Sequence, residues 1–275
     1  MNSSIIFLVL VMCQAYSLFA QTVGPKTGVQ AQKTVPNSVG VPQSAMTPTV
    51  GTWKYKGTTE APGDTRHGAL LSTYSITIKD EGDVWTVTTA AEFPDGPVTD
   101  VSTLEKGTLS LRNKSFRHFL HPDQPWKPVA VSLDFTGNKA TGTMKYVGRP
   151  DKPVAVDLSG PPFADANSSD VKIGCLPLAQ GYSTSFMYFD IERFALNPQG
   201  PDKEKLLQLK VIGMERVTVP AGTFDSYKVE LTSTDGSYKE TVWIAKDSRV
   251  PIKEKYLELY GKKRVTVVTT SELVQ

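Results

Sequence analysis

Cysteine and histidine are scarce in this sequence, which has two of the first and three of the second among 275 residues. Cys13 lies in a predicted leader, so Cys175 is the only cysteine expected in the mature chain and no intramolecular disulfide can form there. The immediate neighbours of Cys175 are apolar, which predicts a buried, unreactive thiol. The alternative is that Cys175 acts as a nucleophile or forms an intermolecular disulfide. Because no intramolecular disulfide can form, the stability of the domain must come from the hydrophobic core.

Long apolar runs are also missing. The longest, Ile5–Met12, has eight residues, whereas a helix that spans a bilayer needs about 20. Ala15, Ser17 and Ala20 follow it and provide the small side chains that a signal peptidase requires. We therefore predict a signal peptide over residues 1–20 and a periplasmic or secreted mature chain without a transmembrane segment.

Two features of this leader are irregular. No Lys or Arg precedes the apolar run, which would be explained if translation began upstream of Met1. Cys13 also suggests an alternative, a lipid anchor attached after cleavage before that cysteine. The bulky Met12 disfavours it, because that cleavage needs a small residue at this position.

Neither sign of charge is in large excess, since the formal net charge is +2. Both excess charges, Lys26 and Lys33, lie before residue 51, so the rest of the chain is neutral and lacks the basic excess of a nucleic-acid-binding protein. Residues 21–50 contain no acidic and no aromatic residue. We predict a flexible linker there, or a mature N-terminus without a role, followed by one domain over residues 51–275.

Strong helix signals are few, and short runs of β-branched and aromatic residues dominate from residue 51. In Tyr74–Ile78 apolar and polar side chains alternate, as in a strand with one buried face. The pattern predicts an all-β fold of antiparallel meanders curled into a half-barrel or barrel-like sandwich, with two possible halves that meet near residues 160–172. One-turn helices are predicted at Leu176–Gln180 and Asp202–Leu207. The predicted strands are Thr52–Tyr55, Leu71–Ile78, Trp85–Ala91, Thr108–Leu111, Phe116–Leu120, Ala130–Phe135, Lys139–Val147, Val154–Leu158, Ser183–Phe189, Leu206–Val211, Glu215–Val219, Ser226–Thr232, Lys239–Ile244, Ile252–Leu259 and Arg264–Thr270.

Motifs of catalysis are missing as well. No Gly-x-Ser-x-Gly elbow, phosphate-binding glycine loop, calcium loop or cysteine-pair zinc pattern occurs. His118 and His121 would lie on opposite faces of a strand, so these two and His67 are interpreted as surface histidines rather than metal ligands. We therefore predict no catalytic, cofactor or metal residues and no enzymatic activity. Scattered carboxylates are interpreted as solvated: Glu92, Asp95, Asp100, Glu105, Asp190 and Glu192.

Aromatic residues are spread along the predicted strands. The simpler interpretation is that these aromatic side chains fill a two-layer interior. The functional interpretation is that they line an apolar groove inside a curved sheet. They are Trp53, Tyr55, Trp85, Trp126, Phe186, Tyr188, Phe189, Tyr227, Trp243, Tyr256 and Tyr260.

Four segments, Leu176–Tyr182, Gly213–Phe224, Thr241–Ile244 and Arg249–Lys253, resemble a bacterial family of unknown function found in exported proteins and lipoproteins. The resemblance covers about residue 51 to the C-terminus. That family looks similar to the lipoprotein-localisation carriers LolA and LolB, whose sheet forms a half-barrel around acyl chains. The resemblance implies no catalytic residues and implies structural roles in turns, strand pairing and the core for Gly213, Glu215, Pro220, Gly222 and Phe224.

These observations favour a non-catalytic, exported binding protein of the bacterial cell envelope. Its ligand would be a lipid or another apolar molecule held against the dry face of a curved sheet that offers no reactive groups. The alternative is an envelope assembly or adhesion subunit that binds a protein partner through exposed sheet edges. An enzyme is the third interpretation.

Overall fold

The computed structural model describes residues 42–60, 70–93, 96–117, 128–260 and 265–275. Within them lie 15 strands, two short α-helices and one 3-10 turn, Pro201–Lys203. The helices are α1 (Ser169–Gly174) and α2 (Ile191–Leu196). The strands are β1 (Gly51–Glu60), β2 (Leu70–Glu81), β3 (Val84–Phe93), β4 (Gly96–Glu105), β5 (Leu111–Arg117), β6 (Ala130–Thr136), β7 (Lys139–Lys145), β8 (Lys152–Asp157), β9 (Ala164–Asp165), β10 (Ser183–Phe189), β11 (Glu204–Val219), β12 (Gly222–Ser233), β13 (Tyr238–Ala245), β14 (Pro251–Tyr260) and β15 (Val265–Leu273).

All strands belong to one sheet built from two meanders. Strands β1 to β8 follow one another in order, and so do β10 to β15. The first and last strands join the two meanders, because β1 pairs antiparallel with both β2 and β15. Among the described strand pairs, only that of β9 with β10 is parallel. The predicted all-β, antiparallel meander is confirmed.

The sheet curls until its two edges come close together. The edge strands are β8 and β9, and only residues 158–163 connect them. Such a connection reaches about 25 Å at most. Phe135 on β6 contacts Phe189 on β10 across the interior, with ring centroids 5.2 Å apart. The two meanders therefore face each other as the walls of one barrel-like body.

Alternation along the strands produces this interior. In β6, for example, Val131, Leu133 and Phe135 are buried while the residues between them are exposed. The buried apolar residues form two clusters, one mainly between the first meander and α2 and one among β10 to β13. The sequence pattern thus predicts the inner face of most strands correctly.

Several strand predictions differ from the structure. Strand β4 was not predicted, because polar Asp100 and Ser102 occupy inward positions where apolar side chains are expected. Thr108–Leu111 was predicted as a strand, but a turn precedes β5 and Leu109 has a positive φ of 56°. The two predicted strands Leu206–Val211 and Glu215–Val219 are one strand, β11, with an irregularity between Val211 and Gly213.

The short helices also differ from the predictions. Leu176–Gln180 is not helical, and the helical turn lies just before it, in α1. Helix α2 was not predicted, although Asp190 caps it by accepting a hydrogen bond from the Arg193 backbone amide at 3.0 Å. At Asp202–Leu207 the 3-10 turn gives way to β11 at Glu204.

The end of the predicted linker contacts the domain. The backbone amides of Ala45 and Met46 donate to the carbonyl of Cys175 at 2.9 and 3.1 Å, and the Thr49 hydroxyl donates to the carbonyl of Ser248 at 2.6 Å. The predicted signal peptide and residues 21–41 lie outside the described residues. Among the residues described, no helix has the length and apolar character that crossing a membrane requires.

Candidate functional site

A cavity opens between the two meanders, on the inside of the curled sheet. Its empty volume is about 1260 Å³, including the part that is open to solvent. Strands β2 to β5 form one wall of the cavity, and strands β10, β11, β13 and β14 form the other. Residues in and next to α1 and α2 complete the lining. The lining residues are Tyr74, Ile76, Thr89, Ala91, Val98, Asp100, Phe116, Ala166, Asn167, Ser169, Asp170, Tyr188, Asp190, Glu192, Lys205, Tyr238, Glu240, Glu254 and Tyr256.

The wall formed by the first meander is largely apolar. Ile76, Ala91, Val98 and Phe116 come from four consecutive strands and occupy positions in the inward phase of each strand. Tyr74 belongs to the same wall, whereas Tyr188, Tyr238 and Tyr256 line the opposite one. The centroid of the Tyr238 ring lies 6.1 Å from that of Tyr188 and 5.7 Å from that of Tyr256. This part of the cavity can contact an apolar molecule.

Three carboxylates meet on the other side and form what we call the acidic cluster: Asp170, Glu240 and Glu254. They come from α1, β13 and β14, and one oxygen of each lies within 4.8 Å of the others. The Tyr238 hydroxyl donates to Glu240 Oε2 at 2.6 Å, and the Ser271 hydroxyl donates to Glu254 Oε1 at 2.9 Å. Two of the three side chains are therefore held in place by neighbouring hydroxyls.

Burial and mutual repulsion change the protonation of this cluster. Burial, and then the carboxylates of Glu240 and Glu254, raise the pKa of Asp170 well above its ordinary range. Burial and the neighbouring Glu254 raise the pKa of Glu240 to about 8. At neutral pH the cluster consequently retains protons that solvated carboxyl groups would have lost.

We predict that the Glu240→Gln variant has a flatter dependence of stability on pH. Folded Glu240 keeps its proton up to a pKa of about 8, whereas its ordinary pKa is 4.5. Between these values the folded state binds more protons than the unfolded state, so the free energy of unfolding falls as the pH rises through this window. Urea unfolding at a series of pH values from 5 to 8 measures the slope.

The exposed Glu92→Gln variant is the control, because it removes a carboxyl from the outer face of β3. It should keep the slope of the unmodified protein. Burial raises the pKa of Asp100 to about 6, so Asp100 also makes the free energy of unfolding fall with rising pH, at lower pH values. This contribution is the same in the unmodified protein and in both variants, and it cancels when their slopes are compared. Equal slopes for the unmodified protein and Glu240→Gln would contradict the raised pKa.

A buried ionic network, which we call the Lys114 network, holds α1 against the first meander. The Lys114 Nζ atom lies 2.5 Å from Asp100 Oδ1 and 3.4 Å from Asp165 Oδ2, and the Lys114 side chain is fully buried. Asp165 also accepts from the Ser168 amide at 2.7 Å and from the Ser102 hydroxyl at 2.9 Å. The network therefore connects β4 and β5 to the residues that begin α1.

The charges in this network are stabilised mutually. Burial raises the pKa of Asp165, but Lys114 and then Lys172 outweigh it and lower that pKa to about 2. Burial lowers the pKa of Lys114, but Asp100 and Asp165 outweigh it and raise that pKa. Asp165 and Lys114 thus remain charged at neutral pH although both are buried.

Cys175 is buried, as predicted, and its Sγ donates to the carbonyl of Val171 at 3.3 Å. Burial raises the pKa of its thiol to about 12, although Arg249 and Lys172 oppose the shift. Because the thiolate is the reactive form, we predict that a thiol reagent labels Cys175 slowly in the folded protein and rapidly in urea. Timed labelling followed by mass measurement compares the two rates, and rapid labelling of the folded protein would contradict the prediction.

The structure corrects part of the interpretation of the scattered carboxylates. Asp100, Asp190 and Glu192 line the cavity rather than an outer face, and Asp100 is buried. Glu92 and Glu105 are exposed, as predicted. The expectation of a dry inner face that offers no reactive groups is also wrong, because six carboxylates and a lysine are among the described residues that line the cavity. His67, His118, His121, Asp95 and Trp126 lie outside the described residues.

Sequence reasoning did not identify the acidic cluster. A signal was present in β13, where Glu240 lies in phase with the buried Tyr238, Val242 and Ile244. A carboxylate in the apolar phase of a strand is expected to be buried, and a buried carboxylate requires partners. Nothing local indicated that Asp170 would approach it from α1.

The five residues to which the family resemblance assigns structural roles lie in turns, in strands or against the core. Pro220 lies in the turn between β11 and β12, and Gly222 has a φ of +140°, which favours glycine. Phe224 packs partly buried against the core, and Gly213 follows the irregularity of β11. Glu215 accepts hydrogen bonds from the Trp243 indole and from Lys228, the latter at 3.4 Å.

Several solved structures are similar to this chain at low identity. A β-barrel-like protein of the domain of unknown function DUF1849 from Brucella abortus is 12% identical with a TM-score of 0.48, covering 84% of this chain and 98% of its own. A protein described as exported, with a YmcC-like fold, from Bacteroides fragilis NCTC 9343 is 10% identical with a TM-score of 0.31, covering 85% and 98%. The hypothetical lipoprotein YmcC from Escherichia coli K12 is 8% identical with a TM-score of 0.30, covering 80% and 83%.

Likenesses at this level transfer no function, and no curated protein matches the sequence. A family match is more extensive. Residues 65–268 match the family described as protein of unknown function DUF3108, which is more than half of the chain. The chain therefore belongs to the DUF3108 family.

Proposed function

We propose that this protein is an exported, non-catalytic binding protein of the bacterial cell envelope that holds a lipid or another ligand with an apolar part. The observation that carries the proposal is the open cavity inside the curled sheet. Ligand sites are commonly concave and mostly apolar, with a few polar groups that orient the ligand. The likeness to the lipoprotein-localisation carriers, inferred from sequence, belongs to the same proposal.

The composition of the cavity indicates how such a ligand would lie. Its apolar part would contact Ile76, Val98 and Phe116 on the first meander. A polar or positively charged group would face the acidic cluster on the other wall. The ligand would therefore be amphipathic, whereas the sequence suggested a lipid or another apolar molecule.

Catalysis is the second candidate, and the convergence of three carboxylates favours it. An acid and a base that flank a glycosidic bond stand about 5 to 9.5 Å apart, however, so that substrate or water fits between them. In the acidic cluster, one oxygen from each of the three carboxylates lies within 4.8 Å of the other two. This spacing is better suited to sharing a proton or a cation than to flanking a scissile bond.

The partner hypothesis needs a sheet edge that can accept another strand. Of the two edge strands, β9 has two residues, while β8 has six and contains Pro153, which lacks a backbone donor. Both described edges are thus poorly suited to strand addition. The geometry favours the cavity over the edges as the binding surface.

A pair of substitutions on β3 tests the proposal. Ala91 lines the cavity, whereas the adjacent Ala90 is exposed on the opposite face of the same strand. Ala91→Phe should occupy part of the empty space and exclude the ligand, and Ala90→Phe should not. Each protein is purified from a native host and extracted with organic solvent, and the extract is analysed by mass spectrometry.

We expect a co-purifying apolar or amphipathic molecule with the unmodified protein and with Ala90→Phe, and at least about tenfold less of it with Ala91→Phe. Circular dichroism and thermal unfolding verify that both variants fold. Equal recovery from the two variants, or no molecule from any of the three, would refute the cavity as a lipid-binding site. Chemically altered molecules released during incubation with the protein would support catalysis instead.

Export has its own test. The predicted cleavage leaves a mature chain that begins at Gln21, and a lipid anchor would leave a heavier chain that begins at a modified Cys13. The intact mass of protein recovered from the envelope fraction distinguishes the two. Recovery of the uncleaved chain in the cytoplasm would contradict export.

A further inference from the structure

The acidic cluster has the spacing of a ligand set for a divalent cation. One carboxylate oxygen each from Asp170, Glu240 and Glu254 lies within 4.8 Å of the others. Calcium binds oxygen ligands at about 2.3 to 2.6 Å, so two oxygens on the same ion can be up to about 5 Å apart. The three oxygens can therefore approach a single ion with little rearrangement.

A second observation points independently to a missing partner. The Asp170 carboxyl interacts with Glu254 and Ser169, but its Oδ1 atom is buried and has no hydrogen-bond partner among the residues that the structure describes. Buried polar atoms in folded proteins almost always have a partner, because burial without one is unfavourable. A cation in the cluster would supply that partner.

Neighbouring hydroxyl groups hold two carboxylates of the cluster in place. Among the described residues that line the cavity is Lys205, whose Nζ atom lies 3.3 Å from Asp190 Oδ2, outside the cluster. Tyr238 and Ser271 donate to Glu240 and Glu254 at 2.6 and 2.9 Å. Such outer hydrogen bonds orient carboxylate ligands in metal sites.

We propose that Asp170, Glu240 and Glu254 bind a divalent cation that prefers oxygen ligands, of which calcium is the best fit. The ligand set contains no imidazole and no thiolate, the groups that favour zinc or copper. Bound water or a polar ligand group would complete the coordination. The cation would displace the protons that the cluster otherwise shares. The cation would occupy the acidic wall that the polar end of the proposed ligand also faces, but its binding does not require that ligand.

Terbium luminescence tests the site directly. Terbium(III) replaces calcium at oxygen sites, and Tyr238, which is hydrogen-bonded to Glu240, would transfer excitation energy to it. The full protein is freed of metal with a chelator, transferred to chelator-free buffer and titrated with terbium under excitation of its aromatic residues. We expect saturable sensitised emission that calcium reverses in competition.

Two isosteric variants and a matched control define the ligands. Asp170→Asn and Glu240→Gln each remove one negative charge from the cluster and should weaken terbium binding at least about tenfold. Glu192→Gln removes one negative charge from the same cavity but outside the cluster. Its effect should stay within about twofold, because general attraction of cations by the cavity is screened by salt.

Thermal unfolding gives a readout that does not depend on energy transfer. Calcium should raise the melting temperature of the unmodified protein and of Glu192→Gln by similar amounts, and that of Glu240→Gln by clearly less at the same concentration. Absence of saturable emission would overturn the proposal. Equal weakening by Glu192→Gln and by the two cluster variants would also overturn it, because it would indicate diffuse attraction rather than a site. Neither result depends on whether a lipid co-purifies.

Discussion

Replacing Lys114 by alanine is expected to lower the free energy of unfolding by about 3 to 5 kcal/mol, because it leaves buried carboxylates without their cation. Asp165 is fully buried and Asp100 nearly so, and both lie within ion-pair distance of Lys114. The largest destabilisation should arise at the Asp165 carboxylate, since the positive charge of Lys114 is a main reason for its pKa of about 2. Urea unfolding at neutral pH measures the loss.

The destabilisation of the Lys114→Ala variant should also depend on pH. Once Lys114 is absent, the two carboxylates can lower their cost by taking up protons, so the loss should be smaller at pH 5 than at pH 8. A purely steric role for the lysine stem would give the same loss at both. The comparison therefore separates the charge of Lys114 from its packing.

The control is Arg112→Ala, which removes a cation from the same strand, β5. Arg112 lies 3.3 Å from Asp83, but both side chains are more than half exposed. Exposed ion pairs contribute little, so its loss should stay below about 1 kcal/mol. Similar losses for the two variants would show that the Lys114 network is not a structural element.

Phe189→Ala should cost about 3 to 5 kcal/mol, as expected for a large cavity in a core. Phe189 is fully buried, and its ring lies 5.2 Å from that of Phe135 and 5.4 Å from that of Phe194. It thereby connects the second meander with the first and with α2. Unlike a substitution within one meander, its removal weakens a contact between the two meanders.

Leu71→Ala is the matched control, because Leu71 belongs to the same sheet but is 61% exposed. Its effect should stay within about 0.5 kcal/mol. Urea unfolding of both variants under the same conditions gives the comparison. A loss below about 1 kcal/mol for Phe189→Ala would mean that the two meanders are held together elsewhere, chiefly by the β1 and β15 pairing.

These two structural elements also position the candidate site. The Lys114 network holds Asp165 and Ser168, which directly precede α1, and α1 carries Asp170. Phe189 ends β10 just before Asp190, the cap of α2 at the cavity. Partial loss of cation binding in Lys114→Ala, under conditions where it stays folded, would therefore reflect displacement of Asp170.

Several parts of the fold could be predicted from local pattern. The predicted strand Ser183–Phe189 coincides with β10, and the hairpin between Leu71–Ile78 and Trp85–Ala91 is present in β2 and β3. Turn residues and alternation specify such hairpins within a few neighbouring positions. The alternation did not predict β4, because Asp100 and Ser102 occupy inward positions there. Prediction from alternation assumes that buried positions carry apolar side chains.

The amino-acid sequence by itself determined the alternating strands, most of the turns, the burial of Cys175 and the all-β class, because each follows from residue types within a few positions of one another. Only the tertiary structure decided that β1 pairs with β15, that the sheet curls until its edges are joined by residues 158–163, and that Asp170 meets Glu240 and Glu254. Period-two alternation assigns each side chain to a face but carries no information on which distant strand will lie opposite. The composition of the cavity therefore depends on long-range packing, which brings together carboxylates that are far apart in the chain.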